Sequence, residues 1–426
     1  MIYKTRLKTN GIKNIKLDDI LILIEIFLIV YESGTVPSML SMSESPLTKG
    51  LLLLIGAYYL IKSMMSRKNL TCLVLWLFLV STYTILNLFN YAPSTPNFLY
   101  RAAIFIIMFY VYRYSRTRGI DIIIYLFYVI IFFAYTSLLI YLCIHVIHIS
   151  LPYSIFSLRN RTGVYANYYN YFGLYYDMGY PNIMFGMTVY RMTGPFWEAG
   201  VFQIFLNLAL YIYIRNNFKK RLSLIVILLD IILSFSTAGI VTACFLFAVM
   251  IYRGNKISKR GKIVIGIFVS IFAMIAIYSI LSMKIGESFR SRGSSFIRLN
   301  DFLLGLQLFK DNFLIGTGFF NTDPFVRLNT FNETITKGSS NGLLTICFTT
   351  GIIGLIFTLL PFIYNFNKCE KHDKFLYLIY CIIIFIFNSV EPVYYLPLML
   401  FILGMEYADM LFKHGKSDFC KVQNDE

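Results

Sequence analysis

Three arginines lie close together in a polar segment that runs from about residue 284 to 341, between two hydrophobic stretches. They are Arg290, Arg292 and Arg298. A guanidinium group binds phosphate through paired hydrogen bonds and keeps its charge at ordinary pH. The cluster therefore predicts a site for a phosphate-bearing substrate. We expect Arg290 and Arg298 to act in the reaction, and Arg292, Asp301 and Asn341 to bind the substrate.

The apolar residues that follow this cluster recur at helical spacing. From Phe296 to Phe309 they fall three or four positions apart, which predicts a helix lying flat against the outer surface or the bundle. Arg298 and Asp301 share one face of this helix because they are three residues apart. An alternative reading is that the arginines contact lipid phosphates or pair with Glu287 and Asp301.

A second polar group precedes the sixth hydrophobic stretch, in the sequence Arg191-Met-Thr-Gly-Pro-Phe-Trp-Glu198. Pro195 suits the first position of a helix, whose N-terminus would face outward. A carboxylate just inside a membrane span is costly unless it is paired or functional. Glu198 is thus a candidate base for an acceptor hydroxyl, with Arg191 beside it. A purely structural Glu198–arginine pair is the alternative.

The region from about residue 150 to 190 is dense in tyrosine and asparagine. A tyrosine ring offers a flat apolar face and a hydroxyl, which suits a sugar. Tyr168 and Tyr169 are therefore candidate substrate-binding residues. The alternative is a belt of aromatic residues at the membrane interface.

No metal site or cofactor is predicted. His145 and His148 are three residues apart but have no carboxylate near them in the sequence, which makes a poor metal site. None of the seven cysteines forms a CxxC pair. Glycine-rich phosphate loops and HExxH or GxSxG motifs are also missing from the sequence.

Composition places the chain among membrane proteins. Hydrophobic residues make up 58% and charged residues 14%, where a soluble domain has about 25% charged residues. Lys and Arg number 38 against 22 Asp and Glu, but they lie between the hydrophobic stretches. This distribution indicates loops facing a cytoplasm and argues against nucleic acid binding.

The hydrophobic stretches predict an all-α polytopic membrane protein with about twelve transmembrane helices. Basic residues follow alternate stretches, which places both termini in the cytoplasm. Two large outer loops result, at about 150–190 and 284–341, in a single transmembrane domain over 1–426. One segment, 222–252, fits either one long helix or a hairpin. Basic clusters at both of its ends favour a hairpin that turns at Ser234–Gly239.

The chain resembles the bacterial O-antigen polymerases, the Wzy-type enzymes that are similar to the O-antigen ligases. The resemblance covers the layout of spans and loops. Locally it rests on five segments: Arg191–Glu198, Ser234–Gly239, Arg298 followed by Phe313–Gly318, Ser339–Gly342 and Gly351–Gly354. The ligases usually carry a histidine near the start of the span after the second loop, where this chain has Ser340-Asn341. That difference favours a polymerase.

The resemblance implies glycosyl transfer at the outer face of a bacterial cytoplasmic (inner) membrane. Its substrates would be oligosaccharides linked to undecaprenyl pyrophosphate within the lipid bilayer, joined into surface polysaccharide such as lipopolysaccharide or capsule. A chain-length regulator and a flippase are the implied partners. Competing readings are a flippase or transporter for lipid-linked oligosaccharide, an O-antigen ligase, and a sugar-binding membrane scaffold without turnover.

Overall fold

The computed structural model of this chain is mostly helical. It describes residues 17–39, 46–64, 67–89, 95–159, 165–179, 182–184, 187–253, 261, 294–319, 321–329 and 339–412. Within them lie thirteen α-helices. They are α1 (Leu17–Tyr31), α2 (Pro46–Ser63), α3 (Arg67–Phe89), α4 (Thr95–Arg118), α5 (Ile122–Tyr141), α6 (Ala199–Arg215), α7 (Arg221–Leu233), α8 (Thr237–Arg253), α9 (Ser294–Asp311), α10 (Asp323–Leu328), α11 (Gly342–Lys368), α12 (Lys371–Val390) and α13 (Pro397–Leu411).

Helices occur at each hydrophobic stretch that falls within the described residues; the predicted ninth span, 263–283, lies outside them. By length and composition, two helices of the described part are apolar enough to cross a membrane, namely Ile122–Val146 and Gly342–Lys368. The segment 222–252 forms two helices, α7 and α8, so the predicted hairpin is confirmed. Its turn, at Ser234–Ser236, follows the last residue of α7 directly.

The described part of the first large loop contains β-strands, and in this respect the prediction of an all-α protein is wrong. Strands β1 (Ser154–Arg159), β2 (Tyr165–Tyr171) and β3 (Tyr175–Asp177) form an antiparallel sheet, and β4 (Asn182–Met184) pairs with β5 (Met187–Val189). The reason is local composition. Tyrosine has a high strand propensity, and cross-strand pairs such as Tyr169 with Ile155 stabilise the sheet.

Polar contacts show that the described chain begins and ends at the same end of the bundle. Tyr114, in the last turns of α4, donates to Asp18 at the start of α1 over 2.7 Å. Its neighbour Tyr112 donates to Asp409 at the end of α13 over 3.0 Å. The predicted topology requires this arrangement.

The opposite end of the bundle is where α6 and α11 begin, and we refer to it as the loop end. There Thr35, just after α1, forms an antiparallel bridge with Phe196. The N–H of Leu398 in α13 donates to the Ser33 hydroxyl over 2.7 Å. These contacts bring the end of α1 and the starts of α6 and α13 together.

The segment 313–318 crosses a break in α11. At Gly351 the backbone adopts φ 64° and ψ −164°, which interrupts the helix. Backbone N–H groups and carbonyls at the break bond to the crossing segment instead. The bonds run from Thr317 to Phe348 (2.8 Å), from Gly318 to Thr349 (3.0 Å) and from Ile352 to Phe313 (2.8 Å). This described part of the second loop therefore packs along α11, which agrees with the expectation that it lies against the outer surface or the bundle.

Replacing Gly351 with alanine is expected to lower the free energy of unfolding by about 3 kcal/mol or more. This backbone conformation is nearly exclusive to glycine, and an added Cβ would lie 2.3 Å from the carbonyl oxygen of Leu314. The midpoint of thermal unfolding of the detergent-purified protein measures the effect. Gly50→Ala is the matched control, because its Cβ would meet no atom within 4 Å. Equal midpoints for the two variants would contradict this account of the break.

Candidate functional site

Arg298 and Glu391 form an ion pair at the loop end. Arg298 lies in the second turn of α9, and Glu391 directly follows α12. The distance from Arg298 Nη2 to Glu391 Oε1 is 3.7 Å, longer than a hydrogen bond. The Glu391 side chain is 7% exposed and that of Arg298 is 45% exposed. Glu391 can therefore orient the guanidinium while a large part of it remains accessible to a ligand.

Arg191 lies near the same pair, on the strap 191–197 that leads into α6. Its Nε donates to the carbonyl of Ser234 over 3.1 Å, and the next residue, Met192, donates its N–H to Leu233 over 3.0 Å. The strap is thus tied to the turn between α7 and α8. Burial lowers the pKa of the Arg191 guanidinium, and the positive charge of Arg298 acts in the same direction. The nearby carboxylates act in the opposite direction.

Glu198 is the N-cap residue of α6 rather than a residue inside a span. Its backbone is extended, and its side chain makes no capping bond. Within the described part of the chain no hydrogen bond or ion pair engages its carboxylate, which is partly exposed. It acts electrostatically on Arg191. A carboxylate in this setting is free to accept a proton from a bound hydroxyl group.

The start of α6 differs from the prediction, which placed Pro195 at the first helical position. The helix begins four residues later, at Ala199. The reason is tertiary. The Pro195 carbonyl accepts the N–H of Val36 (3.0 Å), and Trp197 donates to Gly34 (3.2 Å), so the strap pairs with the chain beyond α1.

Two glycines bring the charged side chains together. A Cβ on Gly200 would lie 2.9 Å from Glu391 Oε1 and 3.9 Å from Glu198 Cδ, so both carboxylates border the first turn of α6. A Cβ on Gly342 would lie 2.7 Å from the Glu391 carbonyl. The N-terminal ends of α6 and α11 therefore both approach Glu391. Helix N-termini carry partial positive charge, which adds to the two arginines in favouring an anion here.

Asp301 and Asn341 connect α9 to α11. Asp301 is fully buried, and its Oδ2 accepts the Ser340 N–H over 2.8 Å. Asn341 is the N-cap of α11, since its side-chain oxygen accepts the Leu344 N–H over 3.0 Å. A side-chain oxygen of each predicted binding residue is thus already engaged: Asp301 links α9 to the start of α11, and Asn341 caps α11. Ligand contact by either residue stays a prediction.

The tyrosine-rich sheet holds the strap in place. Tyr168 is 5% exposed and donates its hydroxyl to the Trp197 carbonyl over 3.3 Å, next to Glu198. The Tyr176 N–H donates to the Gly194 carbonyl over 2.9 Å. Tyr168 thus has little ring surface left for a sugar. Tyr169 keeps part of its ring exposed and packs edge-on against Tyr153, with centroids 5.0 Å apart.

Two of the predicted site residues, Arg290 and Arg292, lie outside the described residues. The fold brings Arg191 within electrostatic range of Glu198 and Arg298, and the action of these residues on a substrate stays a prediction. Glu391 was missed as a site residue. A carboxylate beside Pro392 in a short loop between hydrophobic stretches was its only signal.

Folding also gives His145 a carboxylate partner that its sequence neighbourhood lacks. His145 Nε2 lies 3.1 Å from Asp177 Oδ2 of β3, and its ring stacks on Tyr190 with centroids 4.2 Å apart. Both side chains are nearly buried, which suits a contact that anchors the sheet to the helical turn after α5. In the described part of the chain, no group of three His, Cys, Asp or Glu residues is arranged to hold a metal.

Part of the chain matches a known protein family. Residues 222–359 match the model of a family described as O-antigen ligase. The matched range starts in α7 and ends in α11, so it contains Arg298 and the crossing of 313–318 with α11. The other charged residues of the site lie outside it: Arg191, Glu198 and Glu391. No curated protein matches the chain.

Proposed function

The chain belongs to the O-antigen polymerase/ligase superfamily, and from this membership we propose that it polymerises oligosaccharide repeat units carried on undecaprenyl pyrophosphate. The observation that carries the proposal is the convergence of Arg191, Glu198, Arg298 and Glu391 at the loop end. Two arginines suit a pyrophosphate group, and an unengaged carboxylate suits the hydroxyl of an acceptor sugar.

The distribution of charge supports an orientation with the loop end outside. Basic residues collect at the end opposite to it: Lys62, Arg116, Arg221, Arg253 and Lys368. Such residues are retained on the cytoplasmic side of a membrane. The proposal therefore includes about twelve spans in a bacterial cytoplasmic membrane, with both termini inside. A flippase and a chain-length regulator are its proposed partners.

The proposed reaction is one displacement at the anomeric carbon of the growing glycan. The acceptor hydroxyl forms a bond to that carbon, and the bond from the carbon to the pyrophosphate oxygen breaks. The electron pair leaves with undecaprenyl pyrophosphate. Arg298 and Arg191 stabilise the charge that develops there, with contributions from the N-termini of α6 and α11. Glu391 keeps Arg298 oriented before the substrate arrives.

Glu198 takes the proton that the acceptor hydroxyl loses. A sugar hydroxyl is a weak nucleophile, so a carboxylate within hydrogen-bond reach assists its attack. The strap and the sheet hold Glu198 at the start of α6, and Gly200 leaves space beside it. Glu198 and Arg298 are thus fixed by separate elements, the start of α6 and α9, so the attacking oxygen and the leaving group contact different residues.

Ligase activity is the second candidate, because the matched family is described as O-antigen ligase. A purified-protein assay separates the two functions. The protein is given lipid-linked repeat units alone, and then together with a glycolipid acceptor that carries no pyrophosphate. A ladder of products from repeat units alone supports the polymerase. Transfer only to the added glycolipid would establish the ligase. If single repeat units stayed inside cells that lack the protein, the flippase reading would replace both.

A further inference from the structure

Arg101, in the second turn of α4, is a cation at the loop end that takes no part in the site described above. Its guanidinium lies over the ring of Tyr100, 5.2 Å from the centroid, and over that of Tyr395 at 5.3 Å. In the described part of the chain, no group accepts a hydrogen bond from its Nε, which is buried. Arginine cannot lose its charge here, and a buried N–H of a charged group that lacks a hydrogen-bonding partner is costly. A buried arginine N–H without a hydrogen-bonding partner is typical of a site that binds an anion.

The other charges near Arg101 leave the cluster positive. Glu32 acts electrostatically on Arg101, but Thr48 hydrogen-bonds to Glu32, and Lys49 also interacts with it. The Lys49 side chain is buried at the start of α2. One carboxylate therefore faces two cations. Arg101, Tyr100 and Tyr395 each keep part of their surface exposed, so a ligand can reach the guanidinium.

A single short loop contacts both Arg101 and the site at Arg298. Glu391 at its start pairs with Arg298, and Tyr395 stacks on Arg101. The Cα atoms of two residues four positions apart are separated by at most roughly 14 Å. The two cations thus border opposite ends of the same short loop, so a ligand at each would lie next to that loop.

We propose that Arg101, with Lys49 and the rings of Tyr100 and Tyr395, forms a second anion-binding site for the pyrophosphate of a lipid-linked substrate. The inference rests on the proposed function, since polymerisation joins two lipid-linked units and each carries a pyrophosphate. One unit occupies the Arg298 site, and the second is held at Arg101. The loop 391–395 lies between them.

Binding stoichiometry tests the second site without any need for turnover. The probe is undecaprenyl pyrophosphate, added to the purified full chain in nanodiscs of neutral phosphatidylcholine. Wild type is expected to bind two probe molecules per chain, and Arg101→Gln and Arg298→Gln one each. Arg118→Gln, at the opposite end of α4, is the matched control and should bind two. Two molecules bound to Arg101→Gln would overturn the proposal, even if polymerase activity were absent throughout.

Competition on the Arg298→Gln variant identifies the source of the phosphate. Inorganic pyrophosphate is expected to displace the remaining probe molecule, because the guanidinium recognises the anion itself. Nanodiscs containing phosphatidylglycerol should not displace it. Displacement by phosphatidylglycerol but not by pyrophosphate would show a general lipid contact and overturn the assignment to substrate.

Arg101→Met separates ligand binding from a structural role. The substitution removes a charged group whose buried Nε lacks a hydrogen-bonding partner, so the unfolding midpoint of the protein without probe should equal or exceed that of wild type. The increase in the unfolding midpoint on adding probe should be smaller than in wild type, because only one binding site remains. A lower midpoint without probe, combined with the full wild-type rise, would show that Arg101 serves the fold alone.

Discussion

Replacing Arg298 with alanine is expected to reduce polymer formation by ~10²-fold or more. Arg298 is the exposed partner of the Arg298–Glu391 pair and faces the position proposed for the leaving pyrophosphate. The charge on that group grows as its bond to the sugar breaks, so the guanidinium stabilises the transition state more than the bound substrate. The measurement is the product ladder on lipid-linked glycan, with expression of each variant checked.

Two further variants show whether the loss is specific to this position. Arg327→Ala removes an exposed arginine from the same outer loop and should leave the ladder unchanged. Arg298→Lys keeps the charge but loses the paired geometry, so a partial loss is expected. Single repeat units should still be displayed outside in every case. An intact product ladder in Arg298→Ala would contradict the catalytic role and favour the alternative in which Arg298 contacts lipid phosphates.

Glu198→Gln is expected to lower kcat by ~10²- to 10⁴-fold with little change in KM. Glutamine keeps the size and the hydrogen-bonding reach of the side chain but cannot accept the proton of the acceptor hydroxyl. The exchange should leave the fold unchanged, because the Glu198 side chain makes no capping hydrogen bond that would be lost. Initial rates over a range of repeat-unit concentrations give kcat and KM separately.

Asp323→Asn is the matched control for this exchange, as an exposed carboxylate in the second large loop that is neutralised in the same way. It should keep wild-type kcat and KM. A Glu198→Gln variant with raised KM and unchanged kcat would favour the structural alternative, in which Glu198 only balances the charge of Arg191.

The sequence alone determined the class of the protein and the approximate places of most of its described helices. Long apolar runs, basic clusters between them and the three-to-four spacing after Phe296 are properties of neighbouring residues. They sufficed for the α7–α8 hairpin and for α9, because each follows from the nearest few turns of chain. Residue chemistry likewise selected Arg191, Glu198 and Arg298.

Only the tertiary structure decided what these residues contact. Arg298 pairs with Glu391 from another helix, α6 begins at Ala199 because its strap pairs with the chain beyond α1, and Arg101 meets Tyr395 across the bundle. Each contact joins residues far apart in the sequence. Such contacts depend on which helix ends pack together and on the close approaches that Gly200 and Gly342 permit. A local pattern of apolar and polar residues does not specify which helix ends meet. The geometry of the site therefore follows from tertiary packing.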